Sequence, residues 1–402
     1  MDAKRLRGIA LAQQGLQKAF HFGRGRGGVR RMIQQLGYLQ LDSISVVVRA
    51  HRHILRRRVP GGDLDHLEHL LREREIFEYR FPVAAYRPMP EFRFTSHHMA
   101  WRREMNQRQF RAGKKDRELI ARVLGRIRDE GPLRSRDFEV GEHRSGGWWQ
   151  WKPAKRALEM LYYQGDLMVS ARECMEKSFD LTERVVPSDI DTSKPDMGDY
   201  VRYLIISVLQ AHGFASYRTL TYPARGVAVR KALLNELERQ VADGDLMLFT
   251  DEQGEKMWGL PELFDARLPR LSSNVIILSP FDNLVTERER LASVFGFDYQ
   301  IECFVPEEKR QYGYFCLPVV VGKNFMGRMD CKSHRGRRLF EIKSLHLEPV
   351  FNTPTTFDPV LADFVKAIRE YAAFDGCDDV EVARTSPGFA HQMLRRQLQM
   401  PS

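Results

Sequence analysis

Gln40 and Asp42 stand one residue apart in the run Tyr38-Leu39-Gln40-Leu41-Asp42. In an extended segment side chains alternate, so positions two apart address one target while Leu41 packs the other way. A carboxylate and a neutral amide that is both donor and acceptor could act on such a target together, a geometry that permits a shared target without defining one. The pair lies in the most basic stretch of the chain. Residues 1–60 contain 13 Lys/Arg and two acids, Asp2 and Asp42, a formal +11 against +10 for all 402 residues. The rest of the chain is close to neutral. Such a field is the footprint of phosphate docking, and a lone acid inside it weakens that docking unless it has a separate role. Spacing alone leaves a plainer reading open, that Asp42 or Ser43 caps a helix that follows.

The bases themselves form three sets. Arg24, Arg26, Arg30 and Arg31 surround the hinge Gly23 to Gly28, and Arg56, Arg57 and Arg58 follow the motif. Lys152, Lys155 and Arg156 open a helix just after Trp148, Trp149 and Trp151, and a basic helix N-terminus favours phosphate. Lys309, Arg310, Arg328, His334 and Arg335 stand among aromatics near strand ends. All are candidates for DNA contact. The alternatives are solvated faces for the arginines, a covered core for the tryptophans and an ordinary loop position for His334. Nothing shows metal-ligand spacing or a nucleophile elbow, and GRGRGG lacks the lysine of a phosphate-cradling loop. Cys174, Cys303, Cys316, Cys331 and Cys377 are spread without a C-x-x-C, which argues for buried free thiols over disulfides or zinc. No metal and no cofactor is expected.

The length admits two to four domains on the usual scale of ~100–200 residues each. The apolar runs fall short of the ~20 residues of a membrane span, and the N-terminus lacks a signal-type block, so the expected location is the cytoplasm, with the nucleoid. Residues 4–20 read as a helix, followed by the glycine hinge, a helix from Val29 to Leu36, helical character from Ser43 to Leu55, a helix from Leu64 to Arg72 and a strand from Ile76 to Val83. Helices at Arg117 to Arg128, Ser135 to Val140 and Lys152 to Tyr163, then strands Leu167 to Ala171 and Lys177 to Leu181, give the order of a winged helix-turn-helix. After the polar linker Ser188 to Pro195 the order returns: helices Met197 to Ala211, Ser216 to Tyr222 and Ala228 to Asp243, then strands Leu246 to Phe249 and Lys256 to Gly259. Short runs at Asn274 to Leu278, Tyr299 to Val305, Tyr312 to Val321, Asn324 to Lys332 and Arg338 to Leu347 read as a small β-domain, closed by a helix from Pro359 to Ala373.

LQLDSISVVVRA, GPLRSRDFE, SGGWWQWKPAKRALE, FDLTERVVP, LSPFDN, KRQYGYFCLP and GRMDCKSHR cover nearly the whole chain. Together they resemble the AlkZ/YcaQ family of winged-helix DNA glycosylases, and more closely its YcaQ-like, crosslink-unhooking branch. The resemblance implies an α+β fold of tandem winged helix-turn-helix domains followed by a C-terminal β-barrel-like domain. The expected division is a winged-helix-like catalytic domain at 1–113, winged helices at 114–187 and 196–270, and the β-rich domain at 271–402. It implies hydrolysis of the N-glycosidic bond of N7-alkylated purines, including unhooking of interstrand crosslinks, with Gln40 and Asp42 catalytic, double-stranded DNA as partner, and no membrane or metal. A monomer is expected. YcaQ-like relatives tend to carry Trp-x-His-Glu-Ala after Glu-Tyr, whereas this chain has EYRFPVA, with Arg80, Pro82 and Val83 in those places. Glu78, Tyr79, Arg80 and Pro82 are the expected wall of the lesion site, and the substrate range is expected to differ. The competing reading is a winged-helix transcriptional regulator without catalysis, which has no use for an acid at position 42. A nuclease is disfavoured by the lack of an acidic metal cluster.

The basic N-terminal segment generates a direct expectation. Affinity for undamaged duplex should fall steeply with salt, as bound counterions are exchanged for phosphates; a flat titration between 50 and 200 mM salt, roughly the range over which such contacts respond, would show that this face does not touch DNA.

Overall fold

The structure is a computed structural model that describes residues 1–18, 20–109, 114–138, 153–173, 175–224, 226–268 and 275–400. Helix α1 (Ala3–Gln13) starts on the Asp2 carboxylate, which accepts the Lys4 amide, and stops at Gly15, whose φ of +65° no helix continues through. It is therefore shorter than the helix expected over 4–20. In α2 (Gly25–Leu36), Val29, Met32, Ile33 and Leu36 recur at helical spacing and are buried. Gly37, in the left-handed region, ends it. There follow β1 (Leu39–Gln40), α3 (Ala50–Arg58), α4 (Leu64–Arg72), β2 (Ile76–Arg80) and β3 (Ala84–Pro88). The strands form an antiparallel sheet in the order β1-β3-β2.

Alternation divides that sheet between two cores. Leu39, Leu41, Ile76 and Tyr86 face α2, α3 and α4 and pack with Val29, Met32, Ile54 and Leu70. Phe77, Tyr79 and Phe81 face the other way and join Val123, Ile127, Leu158, Leu161 and Phe179. Packing thus crosses residue 113, and the N-terminal sheet rests on the unit that follows.

Two stretches share one order of elements. Helices Lys114–Glu130 and Pro153–Gln164, with the 3-10 turn Ser135–Phe138 between them, carry strands Leu133–Arg134, Leu167–Glu173 and Glu176–Leu181. Helices Met197–His212, Tyr217–Thr221 and Val227–Ala242 carry Phe214–Ser216, Met247–Thr250 and Lys256–Gly259. In both, the third strand lies in the middle, paired with the first and the second. The segment between them is tied down by an ion pair of Arg93 with Asp191 and by His97 against the Pro195 carbonyl at 3.0 Å.

The last part is a curled, half-barrel sheet of six strands, open at its edges. Val275–Ile277, Cys316–Val321, Asn324–His334 and Leu339–Leu347 pair antiparallel in that order, and Asp379–Val382 and Thr385–Ser386 add to the last of them in parallel. Register shifts at Val319/Val320 and Asp330/Cys331 mark bulges, which bend a sheet. Helix Pro354–Phe374 buries Phe357, Phe364 and Ile368 against Leu317, Val319, Phe340 and Ile342. The strand expected from Tyr299 to Val305 is irregular backbone instead, because the Glu302 carboxylate takes the amides of Gln311, Tyr312 and Gly313 and leaves no strand partner.

The helix expected from Ser43 is the larger correction. It begins only at Ala50, and residues 43–49 are irregular. Arg335 donates to the carbonyls of Ser45 (2.9 Å) and Val47 (3.1 Å), and the Ser333 amide donates to that of Val46 (3.0 Å). Val47 is buried in the half-barrel core. A valine run prefers extended backbone, and here the half-barrel takes carbonyls that a helix would need for itself.

Two arginines expected at the DNA face belong to the interior. Arg58 is 1% exposed; its guanidinium grips Asp282 at 2.6 and 2.8 Å and donates to the Gln14 carbonyl at 2.7 Å. Arg328, 3% exposed, pairs with Glu348 at 2.8 Å and lies 4.4 Å from the Phe297 ring centre and 4.1 Å from that of Tyr312. Neither can reach a phosphate. Arg58→Met should destabilise the protein by roughly 3–5 kcal/mol in equilibrium denaturation, since it leaves Asp282 buried and unpaired; a loss within the scatter of a surface mutation would show that the pair does not hold α3 to the half-barrel.

Candidate active site

Gln40 pairs with Ala85, and the Leu41 amide continues the ladder by donating to the Ala84 carbonyl at 2.8 Å. The pairing runs toward the turn between β2 and β3, so Asp42 leaves the sheet at its Arg80–Val83 end. Gln40 is 9% exposed, and its Oε1 is buried with no partner in the protein. A buried acceptor without a donor costs about 1–3 kcal/mol. The fold leaves that oxygen unpartnered two residues before Asp42.

Asp42 is half-buried, and its Oδ2 accepts the Ile44 amide at 3.0 Å. This closes a short turn of the kind Asp side chains make two residues on. It is no helix cap, because α3 starts eight positions later, at Ala50. Burial lifts the Asp42 pKa to about 6, and the Ile44 and Ser43 amides and Arg49 only partly oppose it. Cations nearby would by themselves hold this acid ionised; desolvation outweighs them. The result is a carboxylate with a pKa near neutrality, where a general base works best.

Arg49 is the N-cap of α3, and Arg52 and Arg56 follow it on the helix at spacings of three and four residues. Arg52 and Arg56 both lie over the Phe374 ring, at 4.9 and 5.5 Å. Sequence reasoning missed Arg49 and Arg52, although their i, i+3, i+7 spacing with Arg56 was there to be read. His51, buried on the same helix, has its pKa pushed down to about 4 by burial and then by Arg49, Arg172 and Arg52, so it is neutral.

The remaining candidates divide by burial. Glu78 is fully buried and gripped by Arg172 at 2.5 and 2.8 Å. Tyr79 is also fully buried, donating to the Tyr163 carbonyl at 2.8 Å and meeting His98 at 3.1 Å. Both were expected in the lesion-site wall; both are core ties between the N-terminal sheet and the unit behind it. Arg80 is exposed and donates to the Tyr163 hydroxyl at 3.2 Å, and Pro82 lines a cavity with Leu36, Tyr38, Arg87 and Tyr203. Arg24 is exposed, over the Phe20 ring at 4.2 Å, and Arg26 is exposed against His69. Arg30 pairs with Glu75 at 2.9 Å, and Arg31 donates to the Phe22 carbonyl at 2.9 Å. Arg57 is largely withdrawn from solvent, in a cavity shared with Lys18, His53 and Phe374. Lys155 and Arg156 are exposed at the start of helix Pro153–Gln164, while Trp148, Trp149, Trp151 and Lys152 lie outside the described residues. Lys309 is exposed; Arg310 donates to the Val305 carbonyl at 2.9 Å. His334 meets Glu341 at 2.7 Å, and Arg335 holds the segment after Asp42 as described above. Among the described residues no group of three or more His, Cys, Asp or Glu could hold a metal ion, and no helix is long and apolar enough to cross a membrane.

Residues 33–374 match the family described as DNA glycosylase AlkZ-like. The chain belongs to the AlkZ-like DNA glycosylase family. It is a DNA N-glycosylase, a hydrolase of N-glycosyl bonds in DNA repair, and the reading as a regulator without catalysis is set aside. The match spans the Gln40–Asp42 pair, the three-stranded sheet, the two repeated helical units and most of the half-barrel. The fold is similar to that of Streptomyces sahachiroi DNA glycosylase AlkZ, with a TM-score of 0.63 and 15% identity over 96% of this chain and 99% of that one.

The raised pKa of Asp42 makes the glycosylase less stable when that group ionises. A carboxyl whose folded pKa lies above its unfolded value favours the fold while protonated, and this contribution is lost as pH rises through about 6. Asp42→Asn, which keeps an acceptor for the Ile44 amide, should therefore be as stable as the parent or more so at pH 8, with the gap narrowing as pH falls below about 6 and closing only near the unfolded carboxylate value of about 4. A variant clearly less stable than the parent in pH 8 denaturation would show that the ionised carboxylate helps hold the fold.

Proposed function

We propose that this glycosylase hydrolyses the N-glycosidic bond of N7-alkylated purines in duplex DNA, including purines still tied to the opposite strand, with Asp42 and Gln40 as its catalytic residues. The observation that carries this reading is the half-buried Asp42 carboxylate, its pKa raised to about 6, two residues from the buried and unpartnered Gln40 carbonyl. An N7-alkylpurine is already cationic, so the electron pair of the breaking bond neutralises the departing base and little acid catalysis is required. The barrier lies in the positive sugar. Ionised Asp42 offsets that charge and takes a proton from the water whose oxygen adds to C1′, while Gln40 Oε1 accepts the water's second hydrogen bond.

The rest of the molecule supports DNA as the surface on which this happens. The two stretches with the same order of helices and the same three-stranded pairing are, on this reading, winged helices at 114–187 and 196–270, flanked by the catalytic domain at 1–113 and the half-barrel from 271 onward. Arg24, Arg26, Arg49, Arg52, Arg56, Lys155 and Arg156 are the cations we assign to phosphate contact. Arg80 and Pro82 remain as the wall residues, at the sheet turn toward which Asp42 runs. A crosslinked base cannot swing fully out of the stack, so its removal requires a carboxylate near the surface, which half-buried Asp42 provides.

Asp42→Asn should abolish or nearly abolish release of N7-alkylguanine in single-turnover assays, with duplex affinity equal or higher because a negative charge is gone. Gln40→Ala should slow the step less severely, within the ~10²–10³ range typical of one lost electrostatic contact. The parent rate should fall about tenfold per pH unit below pH 6 and level off above it, as Asp42 must be ionised. Retention of nearly full excision by Asp42→Asn would sink the catalytic assignment.

A further inference from the structure

Phe304 is 82% exposed, although the backbone on either side of it is firmly held. Tyr299 is buried and donates to the Cys316 carbonyl at 2.7 Å, and Ile301 is packed in the half-barrel core. The Glu302 carboxylate accepts the amides of Gln311, Tyr312 and Gly313 at 2.8 to 3.0 Å. Val305 donates its amide to the Glu302 carbonyl at 2.9 Å and accepts from Arg310 at 2.9 Å. A loop this well anchored presents one large apolar ring to water. Single exposed hydrophobic residues are common and need no explanation by themselves; the setting of this one does.

The setting is the joint between the half-barrel and the segment after Asp42. Cys303, the residue before Phe304, packs against the same apolar cluster as Ile44 and Val46, which follow strand β1. Burial raises the Cys303 thiol pKa, and the Asp42 carboxylate is the next contributor in the same direction, so the two groups sense each other. The charges around the tip are balanced: Glu307 and Glu308 are exposed on the next turn, followed by Lys309 and Arg310. That balance is wrong for docking along a phosphate backbone. It leaves an aromatic face on a rigid loop, which stacks on any base regardless of sequence.

We propose that Phe304 is a wedge that enters the base stack beside the target nucleotide and replaces a stacking neighbour, so that the sugar stays within reach of Asp42. It is a positioning residue, and the proposal rests on Asp42 as the reacting centre. A wedge opens the stack without turning the base fully out, which suits a base that is tied to the other strand.

The test uses a probe that does not depend on which base is removed. A duplex with an abasic-site analogue, the product of any base excision, is compared with a matched intact duplex in equilibrium binding at fixed salt. The parent should prefer the gapped duplex. Phe304→Ala should lose about tenfold of that preference, the scale of one base–aromatic contact, with unchanged affinity for intact duplex and unchanged thermal unfolding. Phe304→Trp should retain it. An undiminished preference in Phe304→Ala, an equal loss on both duplexes, or no preference in the parent overturns the wedge. A Phe304-dependent preference in a protein that cannot release N7-alkylguanine would overturn the lesion assignment instead and leave the wedge standing.

Discussion

Three backbone carbonyls, those of Ser45, Val46 and Val47, are the hinge on which the site turns. Arg335 and the Ser333 amide hold them from the half-barrel, and Val47 is buried in its core. If those carbonyls were free, the segment after Asp42 could join α3, and the acid would become a first-turn residue of a longer helix. Held where they are, they keep residues 43–49 irregular, and Asp42 sits at the seam between the N-terminal sheet and a domain some 290 residues later in the chain. Asp375 takes part by pairing with Arg335 at 3.4 Å and accepting from Ser333. Strand β1 and the half-barrel are thereby one mechanical unit.

The same joint explains the electrostatics. A carboxylate among arginines in water would titrate low, yet Asp42 is raised to about 6 because its seam withdraws it from water more effectively than Arg49 stabilises its charge. Not all of the arginines that give the segment its charge face solvent. Arg58 is spent on Asp282 deep inside, and Arg57 is largely buried. Net charge counted along the sequence therefore overstates the field that DNA meets, and the exposed share is concentrated on one face of α3 and around the glycine hinge.

Behind the site, the three-stranded sheet separates two cores, and Glu78 and Tyr79 show how closely it is bound to the second. Glu78 reaches Arg172 and Tyr79 reaches Tyr163 and His98. A sheet gripped from both sides does not shift its register, and register decides that Leu39 and Leu41 fill one core while Gln40 faces the other way.

Much of this was legible in the chain itself. The apolar spacing of α2, the two repeats of helices and hairpin and most of the half-barrel strands follow from local periodicity, which needs no partner to be read. What stayed hidden was every feature decided by a distant contact. Arg58 and Arg328 look like surface bases because nothing near them in sequence announces Asp282 or Glu348. Glu78 and Tyr79 look like a substrate wall because Arg172 and Tyr163 are more than eighty residues away. Residues 43–49 look helical because the Ser333 and Arg335 contacts that prevent it lie in another domain. The sequence by itself determined most of the helices and strands and the order in which they repeat, since local periodicity suffices for that. Only the tertiary structure decided which charges meet water, where α3 begins and how far Asp42 is drawn out of solvent, because burial is a property of the packed whole.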